Sequence, residues 1–252
     1  MEDQIKDFIK EFVDQYQRKP LWKEPLIAFA KASDPLFYKL KSIVSSNHAL
    51  PTDLLKDAET VISYFIPFVR EIPLSNVGGK TSSRQWASAY EITNEMICNL
   101  NNELSKELTK WGVDSAVLPP THNFDAELLV SDWSHKHVAY IAGLGKFGLH
   151  HLLITEKGCC GRLGSLVTTA KLEKTERPPG EFCLYKHDKS CKMCVEKCGF
   201  SALNLDSFNK HKCHEICIQN NELYSDLGET DVCGKCICVV PCSFTNPVKK
   251  ER

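Results

Sequence analysis

Ten of the thirteen cysteines of this 252-residue chain lie in its last 70 residues, a density that is typical of metal ligation. Three of them stand within eight positions, in the segment CKMCVEKC at 191–198. Thiolates are soft metal ligands, and reduced cysteines inside a cell rarely form structural disulfides. We therefore interpret the C-terminal part of the sequence as a metal-binding region.

Two kinds of metal site compete for these cysteines. A zinc ribbon needs only four ligands, which leaves the other cysteines without a role. Two [4Fe–4S] clusters need eight thiolates, and in two-cluster ferredoxins the last cysteine of each run binds the other cluster. The sequence thus predicts two clusters. The predicted ligands are Cys183, Cys191, Cys194 and Cys242 for one cluster, and Cys198, Cys213, Cys233 and Cys236 for the other.

The overall composition is that of an ordinary globular protein. Hydrophobic residues make up 42% and charged residues 25% of the chain, and the formal net charge is −1. This balance gives no indication of a nucleic-acid partner such as tRNA, although it does not exclude one. The N-terminal segment MEDQIKDFIKEFVDQYQRK is charged throughout, so we expect no signal peptide, no membrane partner and a cytoplasmic location.

Hydrophobic periodicity predicts the elements that must position the cysteines. Residues 3–18 and about 86–111 have the apolar spacing of helices, and the segment VISYFIPF at 61–68 is typical of a buried strand. Further strands are expected in VDSAVLPP, LLIT and GSLVTT. The polar, proline-rich segment 172–180 is the predicted linker to the cysteine-rich region. Mixed helices and short strands indicate the α+β class.

The segment GLGKFG at 143–148 has the glycine spacing of a dinucleotide-binding turn. That motif requires a strand before it and a helix after it. Here the polar SDWSHKHVAYIA precedes it and the strand-like LHHLLIT follows it, which argues against a nicotinamide cofactor. The glycines still allow close approach of either a neighbouring strand or a flat ligand.

The run AGLGKFGLHHLLITEKGCCGRLGSLVTT, followed by a two-cluster cysteine tail that closes with CGKCICVVPC, resembles the epoxyqueuosine reductase and reductive dehalogenase superfamily. The order of predicted elements is similar from about residue 55 onward. The resemblance implies a nitroreductase-like, cobalamin-binding α+β domain over residues 1–180. It further implies a small ferredoxin-like domain with two [4Fe–4S] clusters over residues 181–252.

The resemblance also implies how the cofactors are used. A ferredoxin or flavodoxin would supply electrons to the clusters, which would pass them to cobalamin for reduction of a small organic substrate. Arg162 is compatible with a cofactor contact or with a solvated turn residue. The residues that would contact the corrinoid are Gly143, Gly145, Lys146, Gly148, Arg162, Gly164, Ser165 and Thr168.

A proton donor is expected in the segment VSDWSHKHVAY, because reductive cleavage leaves negative charge that a general acid must neutralise. The predicted catalytic residues are Asp132, His135 and Tyr140, and His137 is a further candidate. In the resembled family, a carboxylic acid about a dozen residues before the glycine-rich turn has this role. Asp132 lies eleven residues before Gly143, so it is the first choice. A helix cap is an equally good interpretation of Asp132.

Two other classes of function would use the same clusters. An electron-transfer protein, or a reductive activator of a corrinoid partner protein, would have no substrate of its own. A regulatory module would only sense redox state. Cys159 and Cys160, in the turn EKGCCGR, are expected to be turn thiols or to face a cofactor pocket. Cys217 and Cys238 are interpreted as buried thiols, and the alternative is that either replaces a neighbouring cysteine as a ligand.

Overall fold

The computed structural model describes residues 1–16, 20–122 and 124–251. Helices and antiparallel strands are mixed along the chain, which confirms the predicted mixture of α and β structure. The helices are α1 Glu2–Tyr16, α2 Pro35–Ile43, α3 Pro51–Leu54, α4 Glu71–Ser75, α5 Arg84–Lys110, α6 His135–Ile141, α7 Leu184–Asp188, α8 Met193–Glu196 and α9 Lys210–Leu223. The strands are β1 Leu26–Lys31, β2 Thr60–Pro67, β3 Ser115–Val117, β4 Phe124–Asp125, β5 Val130–Ser131, β6 Gly145–Phe147, β7 Leu153–Thr155 and β8 Gly161–Thr168.

A four-stranded antiparallel sheet in the order β1-β2-β8-β3 forms the centre of the fold. The strand β2 contains the predicted apolar run and is buried along its whole length. Its alternate residues feed two hydrophobic clusters: Ile62 and Ile66 belong to one, and Val61 and Phe65 to the other. Both faces of the sheet are therefore covered, which explains why the strand shows a continuous apolar run.

The long helix α5 covers one face of the sheet. It begins after Ser83, whose hydroxyl accepts a hydrogen bond from the Trp86 amide at 3.0 Å, and it is followed by Gly112 at φ +80°. This confirms the helix predicted over about 86–111, because a serine N-cap and a left-handed glycine are ordinary helix boundaries. The predicted helix over 3–18 is confirmed as α1 through residue 16, and its last two residues lie outside the described residues.

The glycine-rich stretch lies between a helix and a strand. Gly143 follows α6 with φ +88°, and the next residues form β6, which pairs with β7. A dinucleotide-binding turn has the opposite order, with the strand first and the helix second. The local structure therefore agrees with the argument against a nicotinamide cofactor.

The predicted linker runs along the edge of the central sheet. Thr175 donates its amide to the carbonyl of Phe29 at 2.9 Å, and its hydroxyl accepts from the Phe29 amide at 3.0 Å. These bonds cover the edge strand β1, which would otherwise expose unpaired backbone groups. Beyond the linker, Phe182, Leu203 and Ile237 join the same hydrophobic cluster as α1 and α5. The domain boundary at residue 180 stays a prediction.

Over the described part of the chain, no helix combines the length and the apolar character needed to cross a bilayer.

Candidate functional site

The first group of cysteines surrounds a small cavity. Cys183 lies at the N-cap of α7, Cys191 precedes α8, Cys194 lies within α8, and Cys242 comes from the C-terminal loop. All four line the same cavity, together with His150. The structure thus brings together the four residues that were predicted as ligands of one cluster.

The thiols of this first group disfavour one another's ionisation. Burial, followed by the charges of Cys242, Cys183 and Cys191, raises the pKa of Cys194 to about 12. Burial also raises the pKa of Cys191, and Cys242 and Cys183 add to that effect. Metals bind the thiolate form. Four thiols this close can all ionise at neutral pH when a bound cation offsets their mutual repulsion.

The second group of cysteines consists of Cys198, Cys213, Cys233 and Cys236. Burial, and then the charges of Cys233, Cys213 and Cys198, raise the pKa of Cys236. Burial, and then the charges of Cys213 and Cys198, also raise the pKa of Cys233. These are the four residues predicted for the other cluster. The charge of Cys194 also acts on Cys236, so the two groups are neighbours. Ligation stays a prediction for both groups.

Buried asparagines fix the loop that carries the second group. Asn76 donates from Nδ2 to the carbonyl of Cys233 at 2.8 Å, and its own carbonyl accepts from Nζ of Lys235 at 3.0 Å. Asn220, on α9, donates from Nδ2 to the carbonyl of Val232 at 2.9 Å. Side-chain amides that bond backbone carbonyls inside a core hold a loop in one conformation. The second group is thereby tied to the helices of the first part of the chain.

Three further thiols and a histidine lie beside the first group. The ligand atoms of His150, Cys159 and Cys242 all lie within 4.8 Å of one another, and His150 Nε2 is 3.5 Å from Cys242 Sγ. Hydrogen bonds from the Cys159 thiol and from His150 lower the pKa of Cys242. The Cys160 thiol donates to the carbonyl of Ile237 at 3.2 Å, and Cys238 Sγ accepts from Asn76 Nδ2 at 3.4 Å. Sequence reasoning did not identify His150 as a site residue.

Two glycines make room for this arrangement. A Cβ at Gly148 would overlap the imidazole of His150, and a Cβ at Gly158 would overlap the carbonyl of Ser243 in the C-terminal loop. The spacing of Gly148 from His150 is therefore the sequence signal that could have indicated this histidine. The turn EKGCCGR lies under the C-terminal loop, where the Cys159 amide donates to the Cys242 carbonyl at 3.0 Å.

A larger cavity of about 440 Å³ lies between the central sheet, α5, α6 and the cysteine-bearing loops. Cys159, Cys217 and Cys233 form part of its wall, so the second cysteine group borders this cavity. A cavity of this volume is in the range that holds drug-sized ligands. The aromatic residues of the wall are Phe65, Phe68, Trp86, Tyr90 and Phe124. The charged or titratable residues of the wall, apart from the cysteines and Tyr90, are His135, Lys136, Arg162, His214 and Asp231.

Arg162 is held in place by two contacts on the cavity wall. The centre of its guanidinium group lies 4.3 Å from the centroid of the Tyr90 ring, and its Nε donates to Asn94 Oδ1 at 3.0 Å. The Tyr90 hydroxyl in turn donates to Asp231 Oδ1 at 2.7 Å. These two contacts use the face of the guanidinium group and its Nε. Both Nη groups therefore remain at the end that can donate to another partner.

His135 lies on the same wall but has a partner at each ring nitrogen. Its Nε2 lies 2.8 Å from the carbonyl of Pro119, which can only accept, so Nε2 carries the proton. Its Nδ1 accepts from the Ser165 hydroxyl at 2.9 Å, and that hydroxyl accepts from Trp133 Nε1 at 3.0 Å. Burial lowers the pKa of His135 to about 4. The geometry therefore gives a neutral histidine that positions the segment at Pro119.

The other two predicted catalytic residues lie outside the larger cavity. The side chain of Asp132 is exposed, and its carbonyl accepts from the amide of Ala49 at 2.8 Å. The helix that follows has Ser134 at its N-cap, so Asp132 does not occupy the cap position of α6. Tyr140 packs against Phe147 with ring centroids 5.7 Å apart. Their catalytic roles stay predictions that need a movement of this segment.

Among the eight residues predicted to contact a corrinoid, Arg162 alone lines the larger cavity. The glycines among them face protein atoms: a Cβ would meet the Glu176 backbone at Gly143, the Ile154 carbonyl at Gly145 and the Tyr64 ring at Gly164. Close approach of neighbouring protein segments, one of the two interpretations that the sequence left open, accounts for these glycines.

The polar residues of the predicted corrinoid set also have protein partners. Ser165 completes the hydrogen-bond chain at His135, and Thr168 donates from Oγ1 to the carbonyl of Asp114 at 2.8 Å. The Nζ of Lys146 lies 5.4 Å from the centroid of the Tyr140 ring. Their predicted contacts with a cofactor therefore have no support from their present surroundings.

Comparison with known proteins gives matches at the level of structure only. No protein-family model and no curated protein matches the chain. Epoxyqueuosine reductase from Streptococcus thermophilus superposes with a TM-score of 0.59 at 18% identity, covering 96% of this chain and 66% of that chain. The chain has the fold of this reductase. The enzyme from Bacillus subtilis, in a structure whose catalytic aspartate loop is swung out of the active site, gives 0.58 at 16% identity, covering 95% and 66%.

A second kind of enzyme has the same fold. The catabolic reductive dehalogenase NpRdhA, in complex with 3-bromo-4-hydroxybenzoic acid, matches with a TM-score of 0.57 at 14% identity, covering 89% of this chain and 30% of that chain. The resemblance predicted from the sequence is therefore confirmed for the fold. This chain spans 66% of the length of the epoxyqueuosine reductases, so their activities and substrates are carried over only as proposals.

Proposed function

We propose that this protein is an iron–sulfur reductase in which two [4Fe–4S] clusters deliver electrons to a ligand in the larger cavity. One observation carries the proposal. The eight cysteines predicted as ligands gather in two neighbouring groups, with Cys159 beside the first and Cys217 beside the second, and Cys233 of the second group lines the cavity. In this proposal the cysteine-bearing part acts as a ferredoxin-like domain, and the first part as a nitroreductase-like domain.

The donor sets fit iron–sulfur clusters. Each group supplies four thiols, the number and type of ligand that a [4Fe–4S] cluster takes. Lys235 lies between Cys233 and Cys236 in sequence, and its Nζ is buried against the carbonyls of Asn76 and Gly78. A cation at this position favours the thiolate form of its neighbours. Zinc also takes four thiolates per ion, so iron and sulfide analysis is the measurement that separates the two metals.

Cobalamin is the electron acceptor that the resemblance implies. A whole corrinoid is larger than the drug-sized ligands that a 440 Å³ cavity accommodates, and seven of the eight predicted corrinoid contacts lie elsewhere. The present cavity thus does not fit the complete cofactor. This observation favours the second candidate function, a low-potential electron-transfer protein or reductive activator of a corrinoid partner protein. Adding hydroxocobalamin and following its visible spectrum through gel filtration separates the two candidates.

The chain's own contribution is to position the ligand and to supply protons. Arg162 and Tyr90 present a fixed polar edge at the cavity, and the aromatic wall excludes water from one side. Asp132 remains the proposed acid, with a role that requires its loop to turn toward the cavity. The Bacillus subtilis structure, whose catalytic loop is swung out, shows that such a loop moves in a protein of this fold.

Anaerobic reconstitution with iron and sulfide tests the proposed function. We expect about eight irons and eight sulfides per chain, the content of two [4Fe–4S] clusters. Cys98→Ser is the matched control, because this thiol lies on α5 outside both groups and should leave the iron content unchanged. A colourless protein that contains only zinc would contradict the proposal. A ferredoxin or flavodoxin is the electron donor to be tried first.

A further inference from the structure

Three buried side-chain nitrogens near the larger cavity have no hydrogen-bond partner. Trp86 Nε1 and His214 Nε2 belong to residues of the wall, and Asn94 Nδ2 lies behind Arg162; all three atoms are buried and unpaired among the described residues. Unsatisfied buried polar atoms are rare in folded proteins, and a bound ligand is an ordinary explanation for them. The indole and amide nitrogens can only donate, so any partner that reached them would have to be an acceptor.

Two cations face the same cavity without an ion pair in the described structure. The Nη groups of Arg162 have no acceptor there, and Lys136 donates only to the carbonyl of His151 at 3.3 Å. Both side chains are partly exposed where they line the cavity.

The single carboxylate on the cavity wall is already engaged. Asp231 accepts from the Tyr90 hydroxyl at 2.7 Å and lies 3.3 Å from His122 Nε2, and it makes no ion pair with Arg162 or Lys136. The Arg162 guanidinium is therefore available to a ligand, whereas the charge of Lys136 also acts on the Cys213 thiol. The flat, apolar part of such a ligand would lie among the aromatic rings of the cavity wall.

We propose that the cavity binds an organic anion whose carboxylate or phosphate group accepts hydrogen bonds from Arg162 and Lys136. The guanidinium fork suits both groups, because each offers two oxygens to its parallel N–H donors. This inference deepens the proposed function by naming the class of ligand at the cavity. It rests on that function only in treating the ligand as the one that is reduced.

Isothermal titration calorimetry of the reconstituted protein with paired probes tests the inference. Benzoate is compared with its neutral isostere benzamide, and phenyl phosphate with phenol. We expect at least one anion to bind about tenfold more tightly than its neutral partner, the gain expected of a charge-assisted hydrogen bond. Arg162→Gln and Lys136→Gln should each remove most of this preference.

Matched variants keep the result interpretable. Lys106→Gln removes a lysine from the exposed side of α5 and should leave both affinities unchanged. Arg162→Lys keeps the charge but loses the fork, so it should retain part of the preference even if Arg162→Gln fails to fold. Equal affinity for the anionic and neutral probes, absence of binding by both anions, or an unchanged preference in Arg162→Gln would overturn the inference.

Additional measurements identify the source of the anion and test this inference separately from the proposed function. A loss of affinity in Arg162→Gln for phenyl phosphate but not for benzoate assigns the group to a phosphate, whereas a loss for benzoate alone assigns it to a substrate acid. Iron and sulfide are measured in every sample. Anion preference in a protein without clusters would support the cavity and refute the reductase.

Discussion

The two cysteine groups differ in what surrounds them. The first group opens on a small cavity of its own, and the chain around Cys191 carries the exposed residues Lys186, Lys189 and Lys192. The second group is held by Asn76 and Asn220 against the core of the fold and borders the 440 Å³ cavity. A group near a charged surface is suited to receive electrons from a donor protein. A group beside a ligand cavity is suited to deliver them.

Loss of one cluster at a time should have the largest effect and tests this division of roles. Cys194→Ser and Cys236→Ser should each lower the iron content by about half, since each removes one of four thiolates from a different group. Cys194→Ser should abolish reduction of the remaining cluster by flavodoxin while dithionite still reduces it. Iron analysis and anaerobic visible spectra measure both results.

The reverse comparison provides the control for this prediction. Cys236→Ser should keep a cluster that flavodoxin reduces but should stop electron transfer to any acceptor bound in the larger cavity. If both variants were reduced equally well by flavodoxin, the assignment of an entry group and a delivery group would be wrong. Cys98→Ser, on α5, should behave like the unaltered protein in every assay.

The support beneath the first group gives the next largest expected effect. Gly158 has φ +84°, and a Cβ there would overlap the Ser243 carbonyl, whereas Gly79 has φ +64° with nothing within 4 Å of an added Cβ. Gly79→Ala should lower the free energy of unfolding by about 1 kcal/mol through backbone strain alone. Gly158→Ala should lower it by about 2 kcal/mol more, because the C-terminal loop must shift. Urea denaturation measures both values, and equal losses would contradict the role of Gly158 in seating that loop.

The helices and strands, the cysteine groups and the glycine-rich segment differ in how well the sequence predicts them. Local patterns are sufficient for β2, α1 and α5, because apolar period and caps determine each element separately. The grouping of the eight cysteines also follows from their order, since the exchange of the last cysteine of each run is a property of the motif. The glycine-rich segment was ambiguous. Glycine permits close approach by protein or ligand alike, and only the tertiary structure shows Ile154 and Tyr64 against Gly145 and Gly164.

The cavity could not be predicted for a related reason. The sequence offers His135 and Arg162 as separate candidates, but they meet Asp231 only because β8, α6 and the cysteine-bearing loop converge at one place. A single sequence carries no signal for such a convergence. His150 likewise meets Cys159 and Cys242 only in the folded chain, where the missing Cβ of Gly148 leaves room for its ring.

His135, on the wall of the larger cavity, should make the free energy of unfolding sensitive to acid. Its pKa is about 4 in the folded protein and 6.5 when exposed, so the unfolded chain binds the proton more readily between these values. Its contribution to stability is complete above about pH 6.5, and at pH 5 about 2 kcal/mol of it is lost. His135→Gln should therefore show a shallower fall in the free energy of unfolding between pH 7 and pH 5.

The control for this pH dependence is His211→Gln, which alters an exposed histidine on α9. That variant should follow the unaltered protein across the same range. Urea denaturation at fixed pH values measures the free energy of each protein. Parallel pH profiles for His135→Gln and the unaltered protein would show that His135 is not the group that takes up the proton.

The smallest expected effect concerns an ion-pair network that supports the turn beside the first group. Glu24 lies 2.9 Å from Lys10 on α1 and 3.1 Å from Lys157 in the turn that leads to Cys159. Hydrogen bonds and charge from the two lysines lower the pKa of Glu24 to about 2 from 4.5. The carboxylate is exposed, so Glu24→Gln should cost only about 0.5 kcal/mol.

The pH dependence of this small difference follows from the direction of the shift. A carboxylate whose folded pKa is depressed contributes its full stabilisation above its unfolded value of 4.5 and loses it as the pH falls toward 2. The difference in unfolding free energy between the unaltered protein and Glu24→Gln should therefore be constant from pH 8 to pH 5, while salt should reduce it throughout. Glu103→Gln breaks an exposed pair on α5 that links no separate elements, and it should have a smaller effect. A difference that disappeared between pH 6 and pH 5 would mean that the two lysines do not hold Glu24 ionised, and the first group would then lack this support.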